Sequence, residues 1–274
     1  MQGSDQPGKA SIRGSRLFGI VAPDLGWVPP LRFLLRRARI LRLLSRLPAG
    51  SMVEVGCGAG ALLHELAALN TEAVGLETST RARATACAIA DIGEGKQSIT
   101  DQIDPVWENS CDLVCAFDVL EHIEDEQGAL KSWVGWLKSE GHLCISVPAH
   151  RSRWSAGDEW AGHWRRYDRN DVENIMREHG LLVQHIECYG FPLANLTEWQ
   201  GNRTYKQLLE QRGDAQSKAH ATEESGVERS HYLRLFRIID TIPGRFALRV
   251  ALLMQALTAS TNWGSGYLVL ARKA

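Results

Sequence analysis

The chain has 274 residues, 44% hydrophobic and 23% charged, which suits one enlarged globular domain and excludes a disordered or fibrous chain. A net charge of −1, with no basic stripe interleaved with aromatics, argues against a nucleic-acid partner. The charge is nevertheless divided. Residues 1–50 carry eight Arg and one Lys against two Asp, a balance of +7, and residues 51–130 carry fifteen acids against three bases, a balance of −12.

Residues 1–15 are polar and Gly-rich and read as a disordered tail. No apolar stretch of the first 30 residues escapes interruption by Gly, Pro or Asp, so a secretory h-region is not expected. The run 31–47, LRFLLRRARILRLLSRL, has apolar residues at helical spacing between Pro30 and Pro48 and reads as an amphipathic basic helix. Its Arg face suits solvent or, as a second reading, a peripheral membrane contact or an anionic substrate. Short apolar runs then alternate with helical ones. Strands are expected at 52–55, 73–76, 97–100, 113–117, 143–147 and 181–186, with helices at 61–69, 81–90, roughly 126–139, and a stretch opened by Asn170-Asp171 and closed at Gly180. Between the sixth strand and a last one at 266–271 lies an insertion, residues 193–262. It has a helical piece near 195–211 and a helix pair broken by Pro243-Gly244. The expected domains are thus the tail and helix to 48, an α/β domain over 49–192 and 263–274, and a lid-like helical insertion over 193–262. The fold class is α/β: a Rossmann-like, mostly parallel seven-stranded sheet with helices on both faces. Phe246 to Leu257, the longest apolar run near the C-terminus, contains Arg249 and is too short to span a bilayer. The six cysteines form no CxxC pair and no zinc spacing, and most sit in apolar runs. A reduced, cytoplasmic protein, with membrane-peripheral placement as an alternative, is expected.

The chemistry concentrates in two stretches. VEVGCGAG (53–60) runs from a buried strand through Gly56, Gly58 and Gly60 into an apolar helix. Such a turn lets a ligand approach the backbone and offers an anion the helix N-terminus. The spacing also fits a dinucleotide site. Glu54, inside the strand where a dinucleotide domain places an apolar residue, discriminates against that reading, while Glu77, 21 residues after Gly56, suits the ribose of either cofactor. The second stretch, 148–172, packs Trp154, Asp158, His163, Arg165, Arg166 and Tyr167 into one loop after the fifth strand, at the sheet edge where α/β ligands bind. Trp133 and Trp136, three apart on a helix, read as core. Glu121, Glu124, Asp125 and Glu126 read as a helix start favouring negative charge rather than a metal site, and no metal is expected.

Taken in order, VEVGCGAG (53–60), GLETS (75–79), CDLVCAFDVLEHIEDE (111–126) and GHLCISVP (141–148) resemble the successive motifs of class I S-adenosylmethionine-dependent methyltransferases. They are most similar to the ubiquinone-biosynthesis-like branch acting on small molecules. The resemblance covers roughly residues 50–190 plus the last strand. It implies that Glu54, Gly56, Cys57, Gly58 and Gly60 hold the methionine part of S-adenosylmethionine, Glu77 the ribose, and Asp101 the adenine surroundings, with Phe117 and Asp118 lining the cofactor. The loop 148–172 resembles a D-x-x-x-G-H-x-R-R-Y stretch, which implies acceptor contact or closure by Trp154, Asp158, Arg166 and Tyr167. His122 and His163 are both candidate bases, and the sequence does not choose between them. The reaction expected is methyl transfer to an aromatic or lipid-like small molecule, O-methylation favoured, yielding S-adenosylhomocysteine. The alternatives are a methyltransferase-like protein that binds without turnover, and an NAD-dependent oxidoreductase. The acceptor and the oligomeric state are not specified.

Overall fold

The apolar runs become a seven-stranded sheet in the computed structural model, which describes residues 12–92, 97–212 and 230–274. A short hairpin of β1 (Arg13–Ser15) and β2 (Gly19–Val21) leads into α1 (Leu31–Leu44). The main alternation is β3 (Ser51–Val55), α2 (Ala61–Ala67), β4 (Glu72–Leu76), α3 (Thr80–Ala90), β5 (Gln97–Thr100), β6 (Cys111–Phe117), α4 (Glu126–Trp136) and β7 (Leu137–Pro148). It continues through α5 (Ala156–Ala161), α6 (Arg169–Glu178) and β8 (Leu181–Tyr189). Among the described residues α7 (Leu193–Arg212), α8 (Ser230–Ile239) and α9 (Ile242–Thr258) follow before β9 (Gly266–Lys273). The strand order is β5-β4-β3-β6-β7-β9-β8, all parallel except β9, which runs antiparallel to both β7 and β8.

Alternate residues of each central strand feed two cores. Cys115 and Phe117 of β6 face one side with Leu34, Leu63, Leu66 and Ile89, while Val114 and Ala116 face the other with Leu130, Trp133, Val172 and Met176. Trp133 and Trp136 are core residues as expected, Trp136 standing edge-on to Trp107 with ring centroids 5.1 Å apart. All six cysteines are free thiols, five of them buried.

Several expectations are corrected. Residues 13–15 are not tail but a strand, because Phe18, Ile20 and Trp27 just beyond are buried and hold the hairpin down. The fourth helix stops at Trp136 rather than near 139, because fully buried Leu137 already pairs with Cys111 in the sheet. Pro243-Gly244 does not break the last helix pair. The break is at Asp240, and Pro243 occupies the first turn of α9, where its missing N–H costs nothing, behind an N-cap at Thr241. Part of the insertion, 213–229, lies outside the described residues.

The basic helix α1 turns most of its arginines inward. Arg37 makes a two-pronged pair with Glu65 of α2, with Nε 2.6 Å from Oε1. Arg39 does the same with Glu187 of β8, at 2.7 and 2.6 Å. Arg32 and Arg36 reach the end of β6. The helix is thereby fastened across the carboxyl end of the sheet.

Candidate active site

The glycine loop leaves β3 through three residues in the left-handed region, Gly56 (φ 66°), Gly58 (φ 57°) and Gly60 (φ 71°). A Cβ on Gly56 would meet Val119 Cγ2 at 2.6 Å, whereas one on Gly58 would point into open space. The backbone at Gly58 is therefore the face a ligand can approach. Glu77, at the end of β4, ties the loop down: its Oε2 accepts from Gly58 N and its Oε1 from Ser79 N, both at 2.8 Å. Glu54 stands beneath, 3% exposed, with Oε2 lacking a hydrogen-bond partner among the described residues. Burial, reinforced by Glu77 and opposed by Arg36, pushes its carboxyl up to about 8. Cys57 turns its side chain into the core against Gly75, and burial pushes the thiol up, so only its backbone belongs to the loop.

Asp118 follows β6 with φ 55°, a conformation that costs a non-glycine residue and persists only where neighbours over-determine it. They do. Its N–H donates to Ser146 O at 2.9 Å, and Oδ1 accepts from the Ser146 hydroxyl at 2.8 Å and from the Tyr189 hydroxyl at 3.3 Å. Oδ2 pairs with Arg36 and lies 3.7 Å from Arg32 Nε. Burial alone would raise its carboxyl, but the two guanidiniums outweigh this and hold it below the usual range. Phe117 is buried beside it.

One turn further, Glu121, His122 and His163 bring donor atoms within 4.8 Å of one another. Glu121 is fully buried, and neither carboxylate oxygen has a hydrogen-bond partner among the described residues. Burial, then the charge of Asp118, raises its carboxyl well above the usual value. The His122 and His163 rings meet edge to face at 4.7 Å. Burial, then His163, pushes the His122 imidazole down to about 4. His163 comes from the loop after β7, where α5 carries a capping box of Ser155 and Asp158. Its Nδ1 is 2.9 Å from Asp158 Oδ1, which also accepts from Arg166 Nε at 2.7 Å. Burial raises the Asp158 carboxyl, but the bonds from His163 and Arg166 prevail and keep it well below the carboxylate range. An ionised Asp158 only accepts, so Nδ1 of a neutral His163 carries the proton and Nε2 keeps the lone pair. Arg166 is itself 4% exposed and pairs with Glu198 of α7 as well.

The fold thus gathers Glu54, the glycine loop, Glu77, Asp118, His122, Asp158 and His163 along the carboxyl edge. Asp101, immediately past β5, lies at the same edge, half-exposed and paired with Arg83 at 2.9 Å. The remaining candidates are engaged elsewhere. Tyr167 is buried, and its hydroxyl donates to Glu126 at 2.7 Å. Trp154 is exposed, its indole donating to Glu159 at 3.2 Å. Arg166 supports Asp158 from below rather than facing the edge. Three contributors were not singled out from the sequence, Arg32, Arg36 and Tyr189, and a fourth, Glu121, read there as part of a helix start, is instead fully buried beside the two histidines. The arginines had a signal, since the +7 arm precedes a −12 segment that needs partners. Tyr189 had none, because its hydroxyl meets Asp118 only through the sheet order.

Residues 32–186 match the family described as "Methyltransferase domain". A ubiquinone biosynthesis O-methyltransferase of Bradyrhizobium diazoefficiens is 30% identical over 113 residues, which are 40% of this chain and 44% of the relative, so the match spans less than half of that relative's length. Among solved structures, a protein of Bacillus halodurans described as a methyltransferase superposes with a TM-score of 0.57 at 14% identity, covering 86% of this chain and 98% of that one. Phosphoethanolamine N-methyltransferase 2 of Haemonchus contortus, in complex with S-adenosyl-L-methionine, gives 0.52 at 16% identity, covering 87% and 52%. At these identities the likeness is one of fold.

Proposed function

The chain belongs to the family of S-adenosylmethionine-dependent methyltransferase domains, and from that footing we propose that it methylates a hydroxyl of a small aromatic or lipid-like acceptor, with His163 as the general base. The dinucleotide reading loses its support with that membership. The observation that carries the proposal is the Asp158–His163 pair at the cofactor edge of the sheet, beside a His122 too poor in basicity to compete.

The cofactor's fit rests on this chain's own groups. The open backbone face at Gly58 leaves room for a ligand, Glu54, whose Oε2 has no hydrogen-bond partner among the described residues, suits the methionine ammonium, and Glu77 the ribose hydroxyls. S-adenosylmethionine supplies a methyl group on a sulfonium. Its methyl carbon would be passed to the acceptor oxygen with the C–S electron pair staying on sulfur, and His163 Nε2 would take the proton of the acceptor hydroxyl. Asp158 stabilises the imidazolium so formed, and Arg166 and Glu198 keep Asp158 ionised and in place.

A second reading is favoured by Glu121. A fully buried carboxyl group with no hydrogen-bond partner among the described residues, 4.8 Å or less from two imidazoles, would on losing its proton complete a donor set for a divalent cation that would bind the acceptor oxygen and lower its pKa. Transfer of labelled methyl from S-adenosylmethionine to catechol-type and hydroxylated lipid acceptors separates the two. If His163 is the base, His163→Ala lowers kcat about 10²-fold or more with S-adenosylhomocysteine affinity unchanged, and chelators have no effect. Turnover abolished by a chelator and restored by a divalent metal that imidazole favours, such as Zn²⁺, would move the chemistry to the cation. Full activity in both His163→Ala and His122→Ala would refute O-methylation through either histidine.

A further inference from the structure

The outer face of α9 takes no part in the site just described. At about 100° per residue, Ile242, Phe246, Val250, Leu253, Met254 and Leu257 fall on one arc of this helix, and each is between 41% and 86% exposed. The opposite arc carries Leu248, Ala251 and Gln255, all buried. Gln255 fixes that inner side: its Nε2 donates to Leu35 O of α1 at 2.9 Å, and its Oε1 accepts from Gly190 N at 3.1 Å. The helix is therefore seated on the domain by its proper face, and the apolar row is truly outward. A helix docked by one face normally presents polar residues on the other. This row instead runs for about 22 Å, from the 1.5 Å rise per residue, and exposed Leu235 and Ile238 of α8 lie on the helix that packs beside it.

Charge decides what covers it. Residues 230–258 carry Arg234, Arg237, Arg245 and Arg249 against Asp240 as the only acid. Arg249 lies at the margin of the row, and Arg234, Arg237 and Arg249 are exposed. A second copy related by a two-fold axis would set these arginines against themselves. Residues 1–11, 93–96 and 213–229 contain Met1 and Val227 as their only large aliphatic residues, so their composition offers no apolar face to match the row. We propose that α9 docks in the plane of an anionic lipid surface, its apolar row among the acyl chains and its arginines at the headgroups. The proposal concerns this surface alone and is independent of the reaction assigned above. It also relocates the membrane contact from α1, whose arginines are mostly engaged within the fold, to the far side of the helix that rests on α1.

The test is co-sedimentation of the full chain with vesicles of phosphatidylcholine alone and of phosphatidylcholine mixed with phosphatidylglycerol. Wild type is expected to favour the anionic vesicles about tenfold or more and to be released by added salt. Phe246→Ser with Leu253→Ser should cut binding at least about tenfold, while Arg249→Glu should weaken the preference for anionic over neutral vesicles. A melting temperature still raised by S-adenosylhomocysteine shows that a variant has folded. If the double variant does not fold, Arg249→Glu and the salt dependence of wild type decide. Wild type that ignores anionic vesicles overturns the proposal. So does self-association of wild type that the double variant abolishes without changing vesicle binding, which would make the row a contact between copies.

Discussion

Glu54 is held neutral by the fold at a position that suits a bound ammonium, and this sets two opposed consequences. In the unfolded chain its carboxyl returns to the ordinary value of 4.5, while in the folded protein it sits at about 8. Between those values the folded state holds the extra proton, so this residue makes stability fall as pH rises from 4.5 to 8. Glu54→Gln removes the effect, and its melting temperature should exceed that of wild type at pH 8 by about 2–4 °C per kcal/mol recovered, with the gap closing toward pH 5. The same substitution should weaken S-adenosylmethionine binding. Wild-type affinity should climb toward pH 8, by at most about tenfold per unit for one linked proton. The variant, with no proton to release at this position, should give a flat profile, and titration calorimetry reads both. A flat wild-type profile would mean that Glu54 does not meet the ammonium. Glu77→Ala should cost about 1–3 kcal/mol of cofactor affinity, since the carboxylate bound to Gly58 N is also the one we propose takes the ribose hydroxyls. These two acids were legible because their distance along the chain from the glycines is fixed, Glu54 lying on the strand that enters the loop and Glu77 one helix and one strand beyond it. Arg32 and Arg36 were not legible as site residues, because helical periodicity says which face a residue lies on and nothing about what that face meets.

At the scale of elements, the aromatic-basic loop after β7 works as a clamp closed from behind by α7. Arg166 is the pin: it joins Asp158 on α5 to Glu198 on α7 while almost fully buried. Glu198→Ala should loosen the pin and let His163 drift, lowering kcat about tenfold, the range for second-layer partners, with S-adenosylhomocysteine affinity unchanged. Glu198→Gln, which still accepts a hydrogen bond, should restore most of the loss. Equal losses in both variants, or a change in cofactor affinity, would contradict a positioning role. The clustering of Trp, Arg and His in residues 148–172 drew attention to this loop, yet where each side chain would lie was not readable. Tyr167 and Arg166 are close to His163 in sequence, but the parallel bridge from Ala149 to Tyr167 turns the ring into the core and leaves the guanidinium to brace an acid. The helix pair of the insertion was visible as periodicity. Its break was misplaced because a Pro-Gly step serves a first turn as readily as a stop.

At the scale of the molecule, the division into a +7 arm and a −12 segment is resolved by folding the one over the other, with Arg37 on Glu65 and Arg32 and Arg36 on Asp118. Among the described residues, no helix is long and apolar enough to cross a membrane. The alternation of strands and helices made the parallel part of the sheet readable, since each crossover sends the next strand to a neighbouring place. The position of β9 was not readable, as nothing in GYLVLARK says which pair of strands it will enter. That position, between β7 and β8, makes the assembly sequence and the order of synthesis disagree. Among the described residues β8 pairs with no strand except β9, which is made after it and after α7, α8 and α9. While the ribosome is still working through α7 to α9, the edge of β7 and the whole of β8 stand open, in the condition that invites mispairing. A chain stopped at residue 265 should therefore show no cooperative melting transition and no response to S-adenosylhomocysteine, and adding 266–274 as a separate peptide should recover part of both. In a growing cell the exposed interval is timed by translation, so slow codons across 190–265 would lengthen it and send more of the product to chaperones.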